Sequence, residues 1–285
     1  MMGEADMQKF LARNGRMLSI AAATVLAVSG LVPSAQAAGD LLVAPTRIVL
    51  DGRRGAEVIL NNIGSEEATY RISLELRRMT DNGKLEDILP EEANDKEKAA
   101  LEIIRFAPRR VTLPPNQPQA IRVGMQSTET LPDGEYRAHM LFRAIPKAAD
   151  ATEEGGPVSG LKINLIPVYG VTIPVIIRKG DLKATAAIAN AMIARDNEGQ
   201  TLQFSLSREG DRSVFGEVHV TRPGVSEPLL VAKGIAVYPE LGSRTVSLPL
   251  DAQAAAKMPG EVVISYYEAA EAGGALITQL RTVLR

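Results

Sequence analysis

Leu161-Lys-Ile-Asn-Leu-Ile-Pro-Val-Tyr-Gly-Val-Thr-Ile-Pro-Val-Ile-Ile177 places an apolar or small residue at every second position. Leu161, Ile163, Leu165, Pro167, Tyr169, Val171, Ile173, Val175 and Ile177 would all point the same way. A period of two kept up for that length predicts one long β-strand with a single apolar face. Strands usually run to about 5–6 residues, so this one exceeds what its own sheet would need. It follows Lys147-Ala-Ala-Asp-Ala-Thr-Glu-Glu-Gly-Gly-Pro157, a composition that orders on contact with a partner more readily than alone. A long apolar edge strand ordinarily promotes aggregation. Beside such a loop it reads as a strand to be offered to another protein.

Outward from this stretch, nearly everything reads as strand. Upstream the predicted strands are Leu41–Leu50, Glu57–Asn61, Thr69–Met79, Ile103–Leu113, Gln119–Val123 and Tyr136–Ile145. Turn signals separate them: Asn61-Asn62-Ile63-Gly64, Asp81-Asn82-Gly83, Pro114-Pro115-Asn116 and Leu131-Pro132-Asp133-Gly134. Asn and Gly suit such positions because they tolerate positive φ. The acidic, Ala-rich piece Pro90–Ala100 is expected as a short surface helix without a core role. Arg178-Lys179-Gly180-Asp181 punctuates the chain, and the pattern restarts. Lys183–Ile193, Thr201–Ser207, Phe215–Val220, Leu229–Tyr238, Arg244–Leu250, Val262–Tyr267 and Ala275–Leu284 are predicted strands, with Asp251–Met258 a loop or single turn. Two runs of short strands at these spacings predict an all-β chain of two sandwich domains, divided at residues 38–178 and 179–285.

The N-terminus bears on compartment. Lys9, Arg13 and Arg16 precede the apolar run Met17–Val32, which ends in Ser34-Ala-Gln-Ala37. Charged, apolar and small-residue regions in that order predict a secretory signal over residues 1–37, cleaved near Ala37. The run is short for a membrane span. With no cysteine in the chain, an exported protein would have to rely on buried apolar area instead of disulfides. A net charge of −2 gives no basic surface for nucleic acid.

Catalytic chemistry finds little support. The two histidines, His139 and His219, fall in different predicted domains without a ligand cluster around them. No nucleophile elbow, phosphate loop or calcium loop is present. The pairs Glu66-Glu67 and Glu91-Glu92 lie in turn-like regions and read as solvated faces. The expectation is a protein that is not an enzyme and takes no metal or cofactor.

Several stretches, read in order, resemble the periplasmic pilus-assembly chaperones of the PapD-like family. Pro45-Thr-Arg-Ile-Val-Leu-Asp-Gly52 is similar to that family's first strand with its arginine. Val58-Ile-Leu-Asn-Asn-Ile-Gly64 followed by Tyr70-Arg-Ile72 resembles its second and third strands. Phe106-Ala-Pro-Arg-Arg-Val-Thr-Leu-Pro-Pro-Asn-Gln-Pro-Gln-Ala-Ile-Arg-Val123 is similar to its proline-bounded middle segment. Glu135-Tyr-Arg-Ala-His-Met-Leu-Phe-Arg-Ala-Ile-Pro146 matches the strand before its mobile loop. The resemblance lies in order and spacing over the first domain; the second is only compatible with it.

The resemblance implies two immunoglobulin-like β-sandwich domains set in a boomerang. It implies a periplasmic protein that binds pilus subunits (pilins) by donor-strand complementation and hands them to an outer-membrane usher. Leu161, Ile163 and Leu165 are then the inserted side chains, and Arg47 holds the subunit's C-terminal carboxylate through a planar two-bond fork. The sequence departs from the family at its second cationic anchor. The lysine expected four residues before Arg178 is replaced by Pro174, so Arg137 becomes the candidate second anchor. Self-association through the exposed strand is a further expectation. The alternative is an exported structural or adhesive immunoglobulin-like protein without a pilin client.

Overall fold

The computed structural model describes residues 41–52, 54–146, 167–197 and 199–285. The expected signal segment 1–37 and the candidate donor side chains Leu161, Ile163 and Leu165 lie outside the described residues.

Alternating burial builds two β-sandwiches. The first uses β1 (Leu41–Ala44), β2 (Ile48–Leu50), β3 (Ala56–Asn62), β4 (Ala68–Met79), β5 (Leu85–Ile88), β6 (Ile104–Ala107), β7 (Arg110–Leu113), β8 (Pro118–Met125), β9 (Gly134–Ile145) and β10 (Gly170–Lys179). One sheet runs β1-β3-β8-β6; the other runs β2-β10-β9-β4-β5, with β7 also on β4. Their inner faces meet over Val58, Leu60, Tyr70, Ile72, Ile121, Val123, Tyr136, Met140, Phe142 and Val175. Tyr136 also fixes the entry to β9, its hydroxyl donating to the Pro132 carbonyl at 2.7 Å. Such a tyrosine corner is a hallmark of immunoglobulin-like sandwiches.

The second sandwich comprises β11 (Ala184–Asp196), β12 (Gly199–Gly210), β13 (Val214–Thr221), β14 (Pro228–Val237), β15 (Ser243–Leu250), β16 (Gly260–Glu268) and β17 (Leu276–Leu284). Its sheets are β11-β12-β15 and β14-β13-β16-β17, closed over Leu202, Phe204, Leu206, Val218, Val220, Ile264 and Tyr266. Met79 and Ile176 of the first sandwich pack with Ala236 and Tyr238 of the second, so the two meet through a small apolar patch.

Five expectations need correction. Leu41–Leu50 is not one strand: β1 and β2 lie in opposite sheets, and the break falls at Pro45, which has no N–H for a ladder. Ile103–Leu113 divides the same way at Pro108, into β6 and β7. The helix at Asp95–Ile103 does have a core role, because Ala100 and Ile103 are buried under it. Asn94 caps it, accepting from the Glu97 N–H at 2.9 Å, while Glu97 returns a bond to the Asn94 N–H. Ala252–Lys257 is a short helix, capped by Asp251 and followed by fully buried Met258.

The long strand is the fifth correction. Among the described residues it begins at Gly170, not before, and continues to Lys179. Pro167 cannot donate to a ladder, and Val168 and Tyr169 are exposed outside the strand, although the Tyr169 carbonyl still accepts from the Ala144 N–H of β9 at 3.0 Å. From Val171 on the expected parity holds: Ile173, Val175 and Ile177 face the core. The strand is also not a plain edge. It pairs antiparallel with β9 along its whole length and parallel with β2 over Val175–Ile177. Among the described residues, Gly170–Pro174 keeps one open side.

Candidate carboxylate-binding cleft

The period of two sets one face of the β2-β10-β9-β4 sheet toward the core and the other toward the second sandwich. Ala138 and Met140 point into the core, so Glu135, Arg137 and His139 of β9 point the opposite way. By the same rule Pro174, Ile176 and Arg178 of β10 share that outer face, as do Glu75, Arg77 and Met79 of β4. Arg47, just ahead of core residue Ile48, joins them. The second sandwich contributes Ser213 and Phe215 at the start of β13, and Tyr238 and Glu240 just beyond β14.

Glu135 is the junction. Its side chain is 1% exposed, and its Oε2 accepts from Arg178 Nε at 3.0 Å, from the Ser213 N–H at 3.1 Å and from Ser213 Oγ at 2.9 Å. The serine hydroxyl has one proton and two lone pairs. With the proton given to Glu135, its oxygen accepts from Arg47 Nη2 at 3.0 Å and from Arg178 Nη2 at 3.4 Å. One carboxylate and one hydroxyl thus tie two guanidiniums of the first sandwich to the second.

Arg47 is half-buried. Its guanidinium carbon lies 4.4 Å from the centre of the Phe215 ring and 5.8 Å from that of Tyr238, within cation–π range. Burial pushes its pKa below the usual arginine value, Tyr238 and Glu135 oppose that, and Arg178 adds to it. Its Nη1 is buried without a hydrogen-bond partner.

Arg137 is placed in the same cleft but is already engaged. Its Nη1 and Nη2 bind Glu240 Oε2 and Oε1 at 3.1 and 2.6 Å, and Nη2 also reaches the Arg77 carbonyl at 2.9 Å. Its guanidinium sits 3.7 Å from the Tyr238 ring centre. Its Nε is buried and without a partner. To act as a two-bond anchor, Arg137 would have to release Glu240.

His139 is 1% exposed and neither ring nitrogen has a hydrogen-bond partner. Its ring meets Tyr238 edge-on, centroids 6.5 Å apart. Burial first, then Arg137, Arg77 and Arg47, lower its pKa from 6.5 to about 3, so it is neutral at ordinary pH.

The cleft therefore gathers Arg47 and Arg137 with residues that sequence reasoning passed over: Glu135, Arg178 as a network member, Ser213, Phe215, Tyr238 and Glu240. One signal was available. Glu135, Arg137 and His139 alternate with Tyr136, Ala138 and Met140, a polar face on a strand whose other face is core. No comparable signal marks Ser213.

No protein-family model matches the chain, and no curated protein sequence does. Its fold is similar to solved structures of pilus chaperones. One is the CsuC–CsuE chaperone–tip adhesion subunit pre-assembly complex of Acinetobacter baumannii, at 11% identity over 86% of this chain and 98% of that one, TM-score 0.43. The Salmonella enterica SafA pilin in complex with the SafB chaperone matches at 14% identity, 86% and 96% coverage and TM-score 0.43. The Pseudomonas aeruginosa CupB2 chaperone matches at 14% identity, 86% and 100% coverage and TM-score 0.43.

Proposed function

We propose that this chain is an exported chaperone of pilus subunits that works in the periplasm and delivers its clients to an outer-membrane usher. It lends a subunit an extended segment while Arg47 holds the subunit's C-terminal carboxylate. The observation that carries this reading is Arg47 itself, a half-buried cation with an unmet Nη1 beside the open side of Gly170–Pro174. A carboxylate suits that donor, because guanidinium presents paired N–H groups in its plane.

The lent side chains in this reading are Leu161, Ile163 and Leu165. They have the odd numbering of Val171, Ile173, Val175 and Ile177, whose side chains face the sandwich interior, and an extended segment upstream would carry the same apolar parity. Past the end of the sheet that apolar face would need cover from a partner. Each side chain buried in a subunit groove contributes about 1.5–3 kcal/mol. The working boundary falls at Arg178–Lys179, between the sandwich that lends the strand and the one that supplies Ser213. Self-association through the same open edge is the state such a strand would adopt without a client.

The test is co-expression with a small secreted subunit encoded beside this chain, followed by recovery of the complex. Arg47→Ala should remove the subunit from the purified fraction while the chain itself stays folded. Unchanged subunit recovery would sink the anchor assignment.

A further inference from the structure

Arg47 Nη1, Arg137 Nε and whichever ring nitrogen of His139 carries the proton are among the buried donors of the cleft without a hydrogen-bond acceptor. All three side chains touch one residue, Tyr238: both guanidiniums lie over its ring and His139 meets it edge-on. The register sets two of them in one row. Pro174 is opposite His139 on β9, and His139 is opposite Glu75 on β4. Val175 pairs with Ile48 in the parallel direction, so the preceding residues, Pro174 and Arg47, are also neighbours. The row across the sheet reads Arg47, Pro174, His139, Glu75. Two strand spacings, about 10 Å, separate the backbones of Arg47 and His139. Between them stands the short ring of Pro174, half-exposed.

We propose that His139 is the second carboxylate-binding group of this cleft, and that a chain-terminal carboxylate bound by Arg47 is held together with a proton taken up by His139. This rests on the reading of Arg47 as the anchor and adds how capture responds to pH. The charges on the face that carries His139 are Arg137 and Glu135 of its own strand, Arg77 and Glu75 from β4 and Arg47 from the start of β2. Tyr238 and Glu240 come from beyond β14, and β10 brings no titratable group opposite it. Cations prevail there, and Glu75 is engaged by the Thr172 hydroxyl at 3.2 Å and by Arg77 at 2.9 Å. An added carboxylate reverses the balance: it offsets Arg47 and gives the imidazolium an acceptor. Binding that takes up a proton strengthens as pH falls below the His139 pKa of the bound state, by up to about tenfold per pH unit.

The probes are an octapeptide of alternating valine and threonine ending in a free carboxylate, and its C-terminal amide. Affinity is measured at pH 7.5 and 5.5, a range in which the peptide carboxylate stays ionised. NMR of histidine-labelled protein follows the ring directly, since the chain has only two histidines and His219→Gln assigns the other. The free-acid peptide should bind about tenfold tighter at pH 5.5, and the His139 resonances should titrate at higher pH when it is bound. His139→Gln should still bind it, with the pH dependence gone. Thermal unfolding checks that this variant folds; if it does not, the wild-type titration decides. Carboxylate-dependent binding that Arg47→Ala abolishes, but that is equal at both pH values with His139 unshifted, overturns this inference and leaves the anchor standing. Equal binding of acid and amide, or no binding by the wild type at either pH, overturns both.

Discussion

Glu135 offers the most direct test of what joins the two sandwiches. Its carboxylate is almost fully buried, and a single oxygen accepts from Arg178 Nε, the Ser213 N–H and the Ser213 hydroxyl. Glu135→Ala removes that acceptor and leaves Arg178 and Arg47 facing each other across Ser213 with no anion between them. Breaking a buried pair by deleting one partner costs about 3–5 kcal/mol, most of it the charge left behind. Arg178 is 24% exposed, so water compensates part of the loss and the lower end, about 3 kcal/mol, is expected. Glu135→Gln keeps the shape and one acceptor, giving up the charge-assisted part, about 1.5 kcal/mol. Ser213→Ala deletes one hydroxyl and should cost about 1 kcal/mol. Urea unfolding of the three variants and of the Glu135→Ala/Ser213→Ala double mutant yields the coupling between the sites. Losses that add without coupling, or a Glu135→Ala loss under about 1 kcal/mol, would refute the view that this carboxylate holds the joint.

His139 makes stability depend on pH. Its folded pKa, about 3, lies below the unfolded value of 6.5, so its contribution is complete above pH 6.5 and is lost as pH falls toward 3. The slope is about 1.4 kcal/mol per pH unit, or about 2 kcal/mol by pH 5; His139→Leu should flatten that part of the urea-midpoint profile. Ile103→Ala should cost about 2–5 kcal/mol, since Ile103 is 7% exposed and packed in the first core; a loss below about 0.5 kcal/mol in chemical denaturation would return its helix to the surface. Ile163→Asp should block subunit capture in a pull-down and leave the chain's own melting temperature within about 2 °C, whereas a large drop would mean that Ile163 completes this chain's core.

The strands of the second sandwich were readable because apolar alternation and turn residues agree over most of them, although register shifts such as that between Ala189 and Met192 interrupt the ladder. The first sandwich was read less well where the chain changes sheets, yet the signal was present. The apolar set moves from odd Val43 to even Ile48 and Leu50 across Pro45, and from even Ile104 and Phe106 to odd Val111 and Leu113 across Pro108. A parity reversal at a proline marks a strand that breaks and re-forms in the facing sheet. The strand Leu85–Ile88 escaped notice because Glu86 and Asp87 interrupt its pattern. Such charges suit an outer strand paired only to β4. In the cleft, Arg47 was singled out by the resemblance of Pro45–Gly52 to a family's first strand, not by its local pattern alone. Its partners could not be, because Ser213 lies 166 residues further along the chain and periodicity carries no information about contacts at that range.

The unmet donors bear on function through what folding alone would favour. A buried ion network is commonly no more stabilising than apolar residues of the same volume, and an imidazole with neither nitrogen paired forfeits the hydrogen bonds it had in water. Leucine or methionine in place of His139 would avoid that loss. Arg47 and His139 instead lie around one tyrosine, on the sheet face that turns toward the second sandwich. Glu135 and Ser213 satisfy Arg178 and one nitrogen of Arg47 and leave the other nitrogen open. A ligand that brings an acceptor to that point supplies hydrogen bonds that the protein's own groups do not. In the function proposed above, the energy of capture is largest for a carboxylate, which can meet Arg47 and a protonated His139 together, and much smaller for its amide, which has a single acceptor oxygen and no charge.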